Sequence, residues 1–512
     1  MPPPLTILSN PVNLPTPKLP NLGNNWGPRV SMAVGSGEKH WPVLRLGYGM
    51  YFGRTENLAL ETALTQTGSH NGDLNFFIRP TDGLNPPTDT SDAQPFPSVL
   101  RSPGPGSAIM PGAVEFAPNF RNPEVHQAVA AVEERLPSHV EVTANAMVSL
   151  GRRLPISIDT NLDSPTSTQT ITYAVGDPIR AVDPTKGGPI KATQITVPSF
   201  YASWPTGAGT CPYYQTTGAV LPGRPCPDYQ QITNIESRAN STYEAAMLKV
   251  ERYGRRGLSL HAHYIYAHAM DWNPNESAQV AGNDVLDPAD FNQEYGTSNL
   301  DVRHSANAMV VYEAPWKLRG MAGKLGNGWM VSGVGQFRSG MPYTMRVSGS
   351  LAKEFDAAGN AIVGLGPGMN GSGGDNRVYG VGVGSDKTVY NIGRNTYRYP
   401  ATWKADLRLG RRFDLGHMRQ LELLAESFNL FNHQNVTEVE TTGYYIENGT
   451  PPSTLGGSGT LPTLNFLTGP VTNPTTGLVT KANTTGFGQP LNVNATNFYR
   501  ERQIQFGLRL RF

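Results

Sequence analysis

A glycine-rich segment, Gly366-Pro367-Gly368-Met369-Asn370-Gly371, has the spacing with which a backbone can cradle a dinucleotide. That chemistry needs a strand before the glycines and a helix after them, because the helix N-terminus holds the pyrophosphate. The residues from Gly371 onward, GSGGDNRVYG, cannot begin a helix. We therefore predict a loop at this segment, and we expect no bound cofactor.

Two histidines, His261 and His263, are separated by one residue, and His268 follows shortly afterwards. Side chains two positions apart on a strand share a face, so this pair could chelate a metal ion. No third ligand stands nearby at a fixed spacing. The favoured interpretation is that the pair belongs to a polar strand face, opposite apolar residues such as Leu260 and Tyr264, and we expect no metal.

The charged residues offer few candidates for catalysis. Glu133 and Glu134 are adjacent, and adjacent strand residues point to opposite faces, so they cannot flank one bond. Asp301, Arg303 and His304 begin a strand after a long loop, where a salt bridge at the strand end is favoured over a substrate contact. No Ser/His/Asp arrangement can be argued from spacing, so we predict no catalytic residue and no enzyme.

Composition excludes several classes of protein. Lys+Arg 41 against Asp+Glu 40 gives a net charge of +1, which argues against a nucleic-acid partner. Gly 56 and Pro 43 together make about a fifth of the 512 residues, too much for a helical protein. No run of about 18 apolar residues could form a transmembrane helix. Residues 1–24 are Pro-rich and show no signal-peptide pattern, so the folded region is expected over 25–512.

Alternation of apolar and polar residues with period 2 is the main periodic signal. It is clearest at the end of the chain, where one face carries Ile504, Phe506, Leu508, Leu510 and Phe512 and the other carries Gln503, Gln505, Gly507, Arg509 and Arg511. The segment 418–432 begins with Leu421 and Leu423 on the apolar side but changes phase at Phe428 and Leu430. We expect a β-bulge there.

The alternation predicts eleven strands, over 26–35, 41–54, 125–135, 138–152, 239–252, 257–271, 303–314, 328–340, 401–413, 418–432 and 501–512. Their connections alternate between short and long without exception. In an up-and-down meander, all short turns then lie at one end and all long loops at the other. Long strands, two-sided polarity and this asymmetry predict an all-β, antiparallel up-and-down transmembrane β-barrel with long extracellular loops.

The strand sequences resemble the C-terminal β-barrel of TonB-dependent outer-membrane receptors, specifically the Oar-like group. The resemblance covers nearly all predicted strands and little of the loops. The matching stretches are NWGPRVS (25–31), LRLGYGMYFGR (44–54), NPEVHQAVAAVEERLP (122–137), SLGRRLP (149–155), YEAAMLKVERYGRRGLSLHAHYIYAHAMD (243–271), NLDVRHSANAMVVYEAPW (299–316), GNGWMVSGVGQFRSGMPYT (326–344), the run from GRNTYRYP to LRLGRRFDLG (393–416), LELLAESFNLFNHQNV (421–436) and RQIQFGLRLRF (502–512).

This resemblance implies a bacterial outer-membrane receptor that takes up an unidentified extracellular substrate. It also implies a 22-stranded barrel around a plug domain, with TonB contacted through an N-terminal part that is not visible here. Two alternatives stay open: a barrel without transport whose loops bind partners, and a secreted β-domain that binds polymers.

The C-terminal strand carries a further expectation. Barrels of this kind commonly end in an aromatic residue that the barrel-insertion machinery reads, and the alternating set Ile504, Phe506, Leu508, Leu510 and Phe512 fits such a signal. Eleven strands are an odd number and half of 22, whereas single-chain bacterial barrels have even counts. We therefore expect this chain to supply half of a larger barrel.

The two cysteines, Cys211 and Cys226, generate the first testable prediction. They lie 15 residues apart in the predicted extracellular loop 153–238. We expect a disulfide there, because the exterior is oxidising and the closed loop would be stabilised by about 3 kcal/mol in the chain-entropy model. Mass spectrometry without reductant should find the two peptides linked. Alkylation of both thiols would show that they are free.

Overall fold

The computed structural model of the chain describes residues 23, 25–35, 41–66, 113–160, 167–175, 191–199, 232–272, 295–344, 346–348, 354–355, 361–362, 394–416, 419–447, 463–466, 486–496 and 499–512. Three predictions fall outside the described residues. They concern the Pro-rich segment up to residue 22, the cysteines Cys211 and Cys226, and the glycine-rich loop 366–371.

One antiparallel sheet dominates the described chain. Eleven of its strands form a continuous path in which each strand pairs with the strands before and after it in the sequence. They are β1 (Arg29–Val34), β2 (Val43–Phe52), β3 (Glu124–Leu136), β4 (Val140–Asp159), β5 (Ile232–Arg255), β6 (Leu258–Asp271), β7 (His304–Glu313), β8 (Trp329–Arg338), β9 (Thr402–Gly416), β10 (Arg419–Phe428) and β11 (Gln503–Arg511). This order confirms the predicted up-and-down meander.

The connections alternate between short and long, as predicted. The short-turn end holds the connections 35–42, 137–139, 256–257, 314–328 and 417–418, and the long-loop end holds 53–123, 160–231, 272–303, 339–401 and 429–502. The turn from β5 to β6 has only two residues, Arg256 and Gly257, both with positive φ (56° and 79°). This is the geometry of a tight hairpin. A Cβ on Gly257 would lie 1.8 Å from the carbonyl oxygen of Glu313, so the turn requires glycine.

Pairing across the sheet sorts the side chains into an apolar face and a polar face. One row of directly paired residues crosses nine strands on the apolar face: Val34, Leu44, Val132, Ala144, Leu248, Tyr264, Ala306, Phe337 and Trp403. The neighbouring row on the polar face crosses seven strands: Glu133, Thr143, Lys249, His263, Asn307, Gln336 and Lys404. Because strand side chains alternate between faces, this register keeps the two kinds of residue apart.

The prediction of a β-bulge within 418–432 is wrong. The ladder between β10 and β11 runs without interruption from Gln420 to Phe428, and the irregularity between β9 and β10 lies at Asp414 and Gly416, beside the turn. The change of phase has another cause. Phe428 is the last strand residue and lies on the polar face, and Asn429, with a φ of 47°, turns the chain away.

Strands β4 and β5 are longer than the sequence analysis predicted, with 20 and 24 residues. About ten residues are enough to cross a bilayer, so their far ends extend beyond the other strands at the long-loop end. There, helix α1 (Asn57–Thr65) and the strand Ala113–Phe116 pack on β5 through a small apolar core of Ala63, Val114, Phe116, Ala117, Phe120 and Ile235.

The remaining elements are short. Helix α2 (Gly320–Gly326) and a 3-10 turn (Pro137–His139) lie at the short-turn end. The other strands are Ser167–Val175, Lys191–Ser199, Gly296–Thr297, Pro342–Tyr343, Arg346–Ser348, Glu354–Phe355, Ala361–Ile362, Tyr397–Arg398, Val436–Val439, Thr442–Glu447, Thr463–Phe466 and Pro490–Val493. Among the described helices, none has the length and apolar character needed to cross a membrane.

The sheet is open at both edges. Within the described part of the chain, β1 pairs only with β2 and β11 pairs only with β10. All six residues of β1 and all nine of β11 are exposed. The described sheet is therefore a partial barrel with an odd number of strands.

Candidate functional site

The polar face holds the histidine pair that the sequence singled out. His261 and His263 share this face, with ring centroids 6.0 Å apart, but they have separate partners. His261 Nδ1 lies 2.7 Å from one carboxylate oxygen of Glu251, and Lys249 Nζ contacts the other carboxylate oxygen at 3.0 Å. Asn307 Nδ2 lies 3.1 Å from His263 Nε2. No group of three potential metal ligands occurs among the described residues. Their pairing with Glu251, Lys249 and Asn307 places both histidines on the polar face of the sheet, as the sequence indicated.

The adjacent glutamates separate as predicted. Glu133 lies on the polar face, where Arg45 contacts its carboxylate at 3.3 Å and Arg135 contacts it at 4.0 Å. Glu134 is exposed on the opposite face near the short-turn end. The two carboxylates therefore have no shared site.

Asp301 forms the centre of a polar cluster at the long-loop end. Its carboxylate is fully buried and accepts a 2.6 Å hydrogen bond from the amide of Ala269. Arg303 lies 3.4 Å away, His268 lies 3.3 Å away, and Arg398 forms an ion pair with the same carboxylate. The predicted salt bridge between Asp301 and Arg303 is thus present. His268, however, belongs to this cluster and is not with the other two histidines.

The electrostatics of this cluster favour the ionised carboxylate. Burial by itself raises the pKa of Asp301, but the Ala269 amide and the guanidinium groups of Arg398 and Arg303 lower it by more. The net pKa therefore lies below the ordinary value for aspartate. At neutral pH, Asp301 is therefore negatively charged, and it holds the segment around Arg398 against β6 and β7.

A second set of contacts joins the same loops. Arg394 donates to the carboxylate of Asp271 at 2.5 Å and to the carbonyl oxygen of Gly296 at 3.1 Å. The amide of Asn395 donates to Thr344 Oγ1 at 2.9 Å. Arg394 and Arg398 lie in the GRNTYRYP stretch of the sequence, to which the sequence analysis gave no role. No periodic pattern could have revealed these partners, which are about 50 to 120 residues away.

An aromatic cluster lies beside these contacts. Tyr343 packs against Tyr397, Tyr399 and Phe487, with ring centroids 5.0–6.0 Å apart. Burial raises the pKa of the Tyr343 phenol to about 12, so this group stays neutral and can donate a hydrogen bond at physiological pH. The cluster brings together the bases of two long loops, and no local pattern in the sequence predicts it.

Aromatic side chains lie at both ends of the apolar face. At the long-loop end, Tyr264 bonds through its hydroxyl to His304 Nδ1 at 2.7 Å, and the rings of Tyr266 and His304 lie 5.3 Å apart. At the short-turn end, the guanidinium of Arg411 lies 5.0 Å above the ring of Trp329. This contact explains why arginine interrupts the apolar side of β9. Aromatic bands at both ends of an apolar belt are typical of membrane-spanning barrels.

The C-terminal strand has the predicted faces. Ile504, Phe506, Leu508, Leu510 and Phe512 are all exposed large hydrophobic residues. On the opposite face, Gln505 contacts Glu426, and Arg509 and Arg511 each lie 3.8 Å from Glu422. The role of the five apolar residues as an insertion signal stays a prediction.

A family model described as an outer membrane beta barrel domain matches residues 7–505. No curated protein matches the sequence.

Solved structures match at low similarity. The outer membrane transporter YddB from Escherichia coli is 9% identical, with 83% of this chain and 38% of that chain covered and a TM-score of 0.33. The ferric-catecholate import receptor Fiu from E. coli K12 is 8% identical (81% and 32% covered, TM-score 0.33). The iron transporter FrpB from Neisseria meningitidis is 8% identical (80% and 35% covered, TM-score 0.34). The chain thus spans about a third of the length of these structures.

The polar cluster around Asp301 should control opening at the long-loop end. Asp301→Asn removes the charge that pairs with Arg303 and Arg398, and should lower the free energy of local opening by about 1.5–3 kcal/mol. Hydrogen exchange at the Ala269 amide reports this directly, because that amide donates to Asp301. The matched control is Glu313→Gln, which removes an exposed ion pair to Arg412 at the other end and should leave Ala269 unchanged.

The same cluster predicts a pH dependence. The pKa of Asp301 is lower in the folded protein than in the unfolded chain, so its stabilisation is complete above the unfolded value of about 3.9. It is lost as the pH falls through the folded pKa. Protection factors at Ala269 should hold from neutral pH to about 4 and then fall in the native protein. A fall of the same size in Asp301→Asn would show that another group titrates.

The face assignment of β11 predicts a difference between two arginine substitutions. Leu508→Arg or Leu510→Arg puts a charge against hydrocarbon and should lower the free energy of unfolding by about 2–4 kcal/mol near the bilayer midplane, less near its surfaces. The matched control Gln505→Arg puts the same charge on the polar face of the same strand and should have a smaller effect. Denaturant titration of the protein expressed from its intact coding sequence, in lipid vesicles, measures both. Equal tolerance of arginine at 505 and 508 would contradict the assignment.

Proposed function

The chain belongs to the outer membrane β-barrel domain family, and from this we propose that it supplies eleven strands of a TonB-dependent receptor for uptake of an extracellular substrate. It resides in the bacterial outer membrane, with its apolar face against lipid. In family barrels the short turns lie in the periplasm and the long loops outside the cell. The rim formed by the clusters around Asp301 and Tyr343 therefore faces the exterior.

The direction of the edge strands supports a larger barrel. A short connection follows β1 and a long one precedes β11, so both strands run toward the short-turn end. Neighbouring strands of such a barrel are antiparallel, so β1 and β11 cannot close the sheet by pairing with each other. On this proposal, an odd number of further strands lies between them. Eleven more would give 22, the number found in plugged outer-membrane transporters.

The polar face supports a role in transport. A row of polar residues that crosses seven strands would line a hydrated interior, which a plug domain could fill through hydrogen bonds and ion pairs. The fixed bases of the long loops would hold a substrate site above this interior. This role needs no catalytic residue and no nucleic-acid partner. TonB would be contacted through a part of the receptor outside residues 1–512, and the barrel-insertion machinery would read the C-terminal strand.

The barrel proposal predicts that residues 1–512 alone do not close. Each unpaired backbone group at the open edges costs several kcal/mol in lipid, so this chain should fail to form a heat-modifiable monomer in detergent or liposomes. The protein expressed from its intact coding sequence is the control and should migrate as a compact, protease-resistant species. A compact monomer from residues 1–512 alone would mean that the barrel is complete with fewer strands.

The coupling proposal has a separate test. In cells, chemical crosslinking should join TonB to the protein from the intact coding sequence, but not to residues 1–512 expressed alone. The two tests can fail independently. If the intact protein forms a closed barrel but gives no crosslink to TonB, the barrel would instead be a passive or adhesive one.

A further inference from the structure

A cavity of about 170 Å³ lies on the polar face of the last three strands, at the long-loop end of the sheet. Residues from all three strands line it: Lys404 and Asp406 near the start of β9, Phe428 at the end of β10 and Gln503 at the start of β11. Because strand side chains alternate between faces, these side chains lie on the side of the sheet away from lipid. In the proposed barrel, the cavity therefore lies inside the wall, below the extracellular loops.

Hydrogen bonds from the buried side chain of Asn429 fix the walls of this cavity. Asn429 follows β10 with a φ of 47°, and its amide donates to a carboxylate oxygen of Asp406 at 2.8 Å. Its side-chain Nδ2 donates to the carbonyl oxygens of His433 and Arg500, both at 2.9 Å. Its Oδ1 accepts from the amide of His433 at 2.9 Å. One residue thus ties together β9, the loop after β10 and the segment before β11.

The lining of the cavity also includes a buried donor without a partner. Asn435 is 0% exposed. Its Oδ1 accepts a 2.8 Å hydrogen bond from the amide of Trp403, which sets the orientation of the side-chain amide. Its backbone N–H donates to Asn494 Oδ1 at 2.9 Å, and its backbone carbonyl accepts from the amide of Asn494 at 2.8 Å. The Nδ2 group remains, and it has no hydrogen-bond partner among the described residues.

This donor calls for an acceptor from outside the chain. A buried N–H group without a partner destabilises a fold, so such groups are rare. The Asn435 amide cannot turn over, because its NH₂ group would then face the Trp403 amide, which is itself a donor. A ligand oxygen in the cavity would satisfy Nδ2. The cavity has the volume of about five or six water molecules, at about 30 Å³ each, so the ligand is small or is one unit of a larger molecule.

The charges around the cavity favour a neutral ligand. Lys404 Nζ lies 3.4 Å from the carboxylate of Asp406, so these two charges offset each other. Arg500 and Glu501 add one charge of each sign to the lining. A charged ligand would have to compete with the existing ion pair. A hydroxyl group both accepts and donates, so hydroxyl groups can accept from Asn435 Nδ2 and donate to the Asp406 carboxylate.

Two aromatic rings supply the apolar part of the lining. Phe428 is 40% exposed on the polar face, where the neighbouring strand residues are polar. The hydroxyl of Tyr499 lies 2.9 Å from Thr402 Oγ1, which holds this second ring at the cavity. The C–H groups of a sugar ring form an apolar face that packs on an aromatic ring, while its hydroxyl groups lie at the edge. A small site with apolar rings and a few fixed polar groups matches both parts of a sugar.

We propose that this cavity binds one sugar residue, free or at the end of an oligosaccharide. The sugar ring packs on Phe428, one hydroxyl oxygen accepts from Asn435 Nδ2, and another hydroxyl donates to Asp406. This inference rests on the proposed function for the role of the site, because a ligand held inside the wall below the extracellular loops would be the receptor's substrate. It names that substrate as a carbohydrate.

Saturation-transfer NMR tests the site. The protein from its intact coding sequence is purified in lauryldimethylamine oxide, a detergent without a sugar headgroup. It is mixed in separate samples with methyl β-glucoside, methyl α-mannoside, methyl β-galactoside and glycylglycine, a small zwitterion. At least one glycoside should receive saturation from the protein, most strongly at the ring C–H protons. Saturation of no glycoside, or of glycylglycine alone, would overturn the proposal.

Two substitutions locate the binding. Phe428→Leu removes the flat ring and should weaken glycoside binding several-fold. Asn435→Asp keeps an oxygen for the Trp403 amide but removes the Nδ2 donor, and should also weaken binding several-fold. The matched control is Tyr51→Leu, which removes a ring that is likewise 40% exposed, on the polar face near the opposite edge of the sheet, and should bind as the native protein does. Heat-modifiable migration verifies that each variant is folded.

Unchanged binding in folded Phe428→Leu protein would overturn the proposal, as would an equal loss in Tyr51→Leu. This comparison decides the matter even if Asn435→Asp does not fold. The binding test needs no TonB, so it is separate from the test of coupling. Sugar binding without a crosslink to TonB would keep the site in a passive barrel. A crosslink without sugar binding would keep the receptor and remove the sugar site.

Discussion

The fold depends on one constraint: every backbone N–H and C=O group inside the hydrocarbon needs a hydrogen-bond partner within the protein. The ladders from β2 to β10 satisfy it on both sides of each strand. Because the turn at Arg256 and Gly257 has only two residues, the pairing of β5 with β6 begins immediately beside it. The same constraint supports the proposal of a larger barrel, because in the described part of the chain β1 and β11 each pair on one side only.

Because apolar and polar residues alternate with period 2, the paired strands form a sheet with one apolar surface and one polar surface. Once the register is set, Leu248 must share a face with Tyr264, and Lys249 must share the other with His263. The apolar face then meets lipid, while charged and amide side chains face the interior and pair with one another.

The sequence predicted the structural features that repeat along the chain, and it did not predict the strand ends and long-range contacts that occur once. Eleven strands and the alternation of their connections follow from local patterns, so they could be predicted from the sequence. The far end of β4 was missed because Arg152 stands on the apolar side of the alternation, although Leu154, Ile156 and Ile158 continue it. The pairing of β4 with β5 also shifts register at Leu154 and Pro155, so the far end of β5 was missed with it. The contacts of Arg394 and Arg398 join segments about 100 residues apart, and no local pattern encodes such pairs. At Phe428 the change of phase was visible, but its cause is the end of the strand.

Charge pairing follows the same registers as the hydrogen bonds and helps to fix them. Glu422 is buried on the polar face and pairs across the ladder with Arg412 on one side and Arg509 on the other. Both guanidinium groups lie within 3.8 Å of its carboxylate. A slip of one residue in β10 would move Glu422 into lipid and bring Leu421 and Leu423 inside. A lipid-facing charge is destabilising, so Glu422 and the apolar residues beside it all oppose the shifted register of the last three strands.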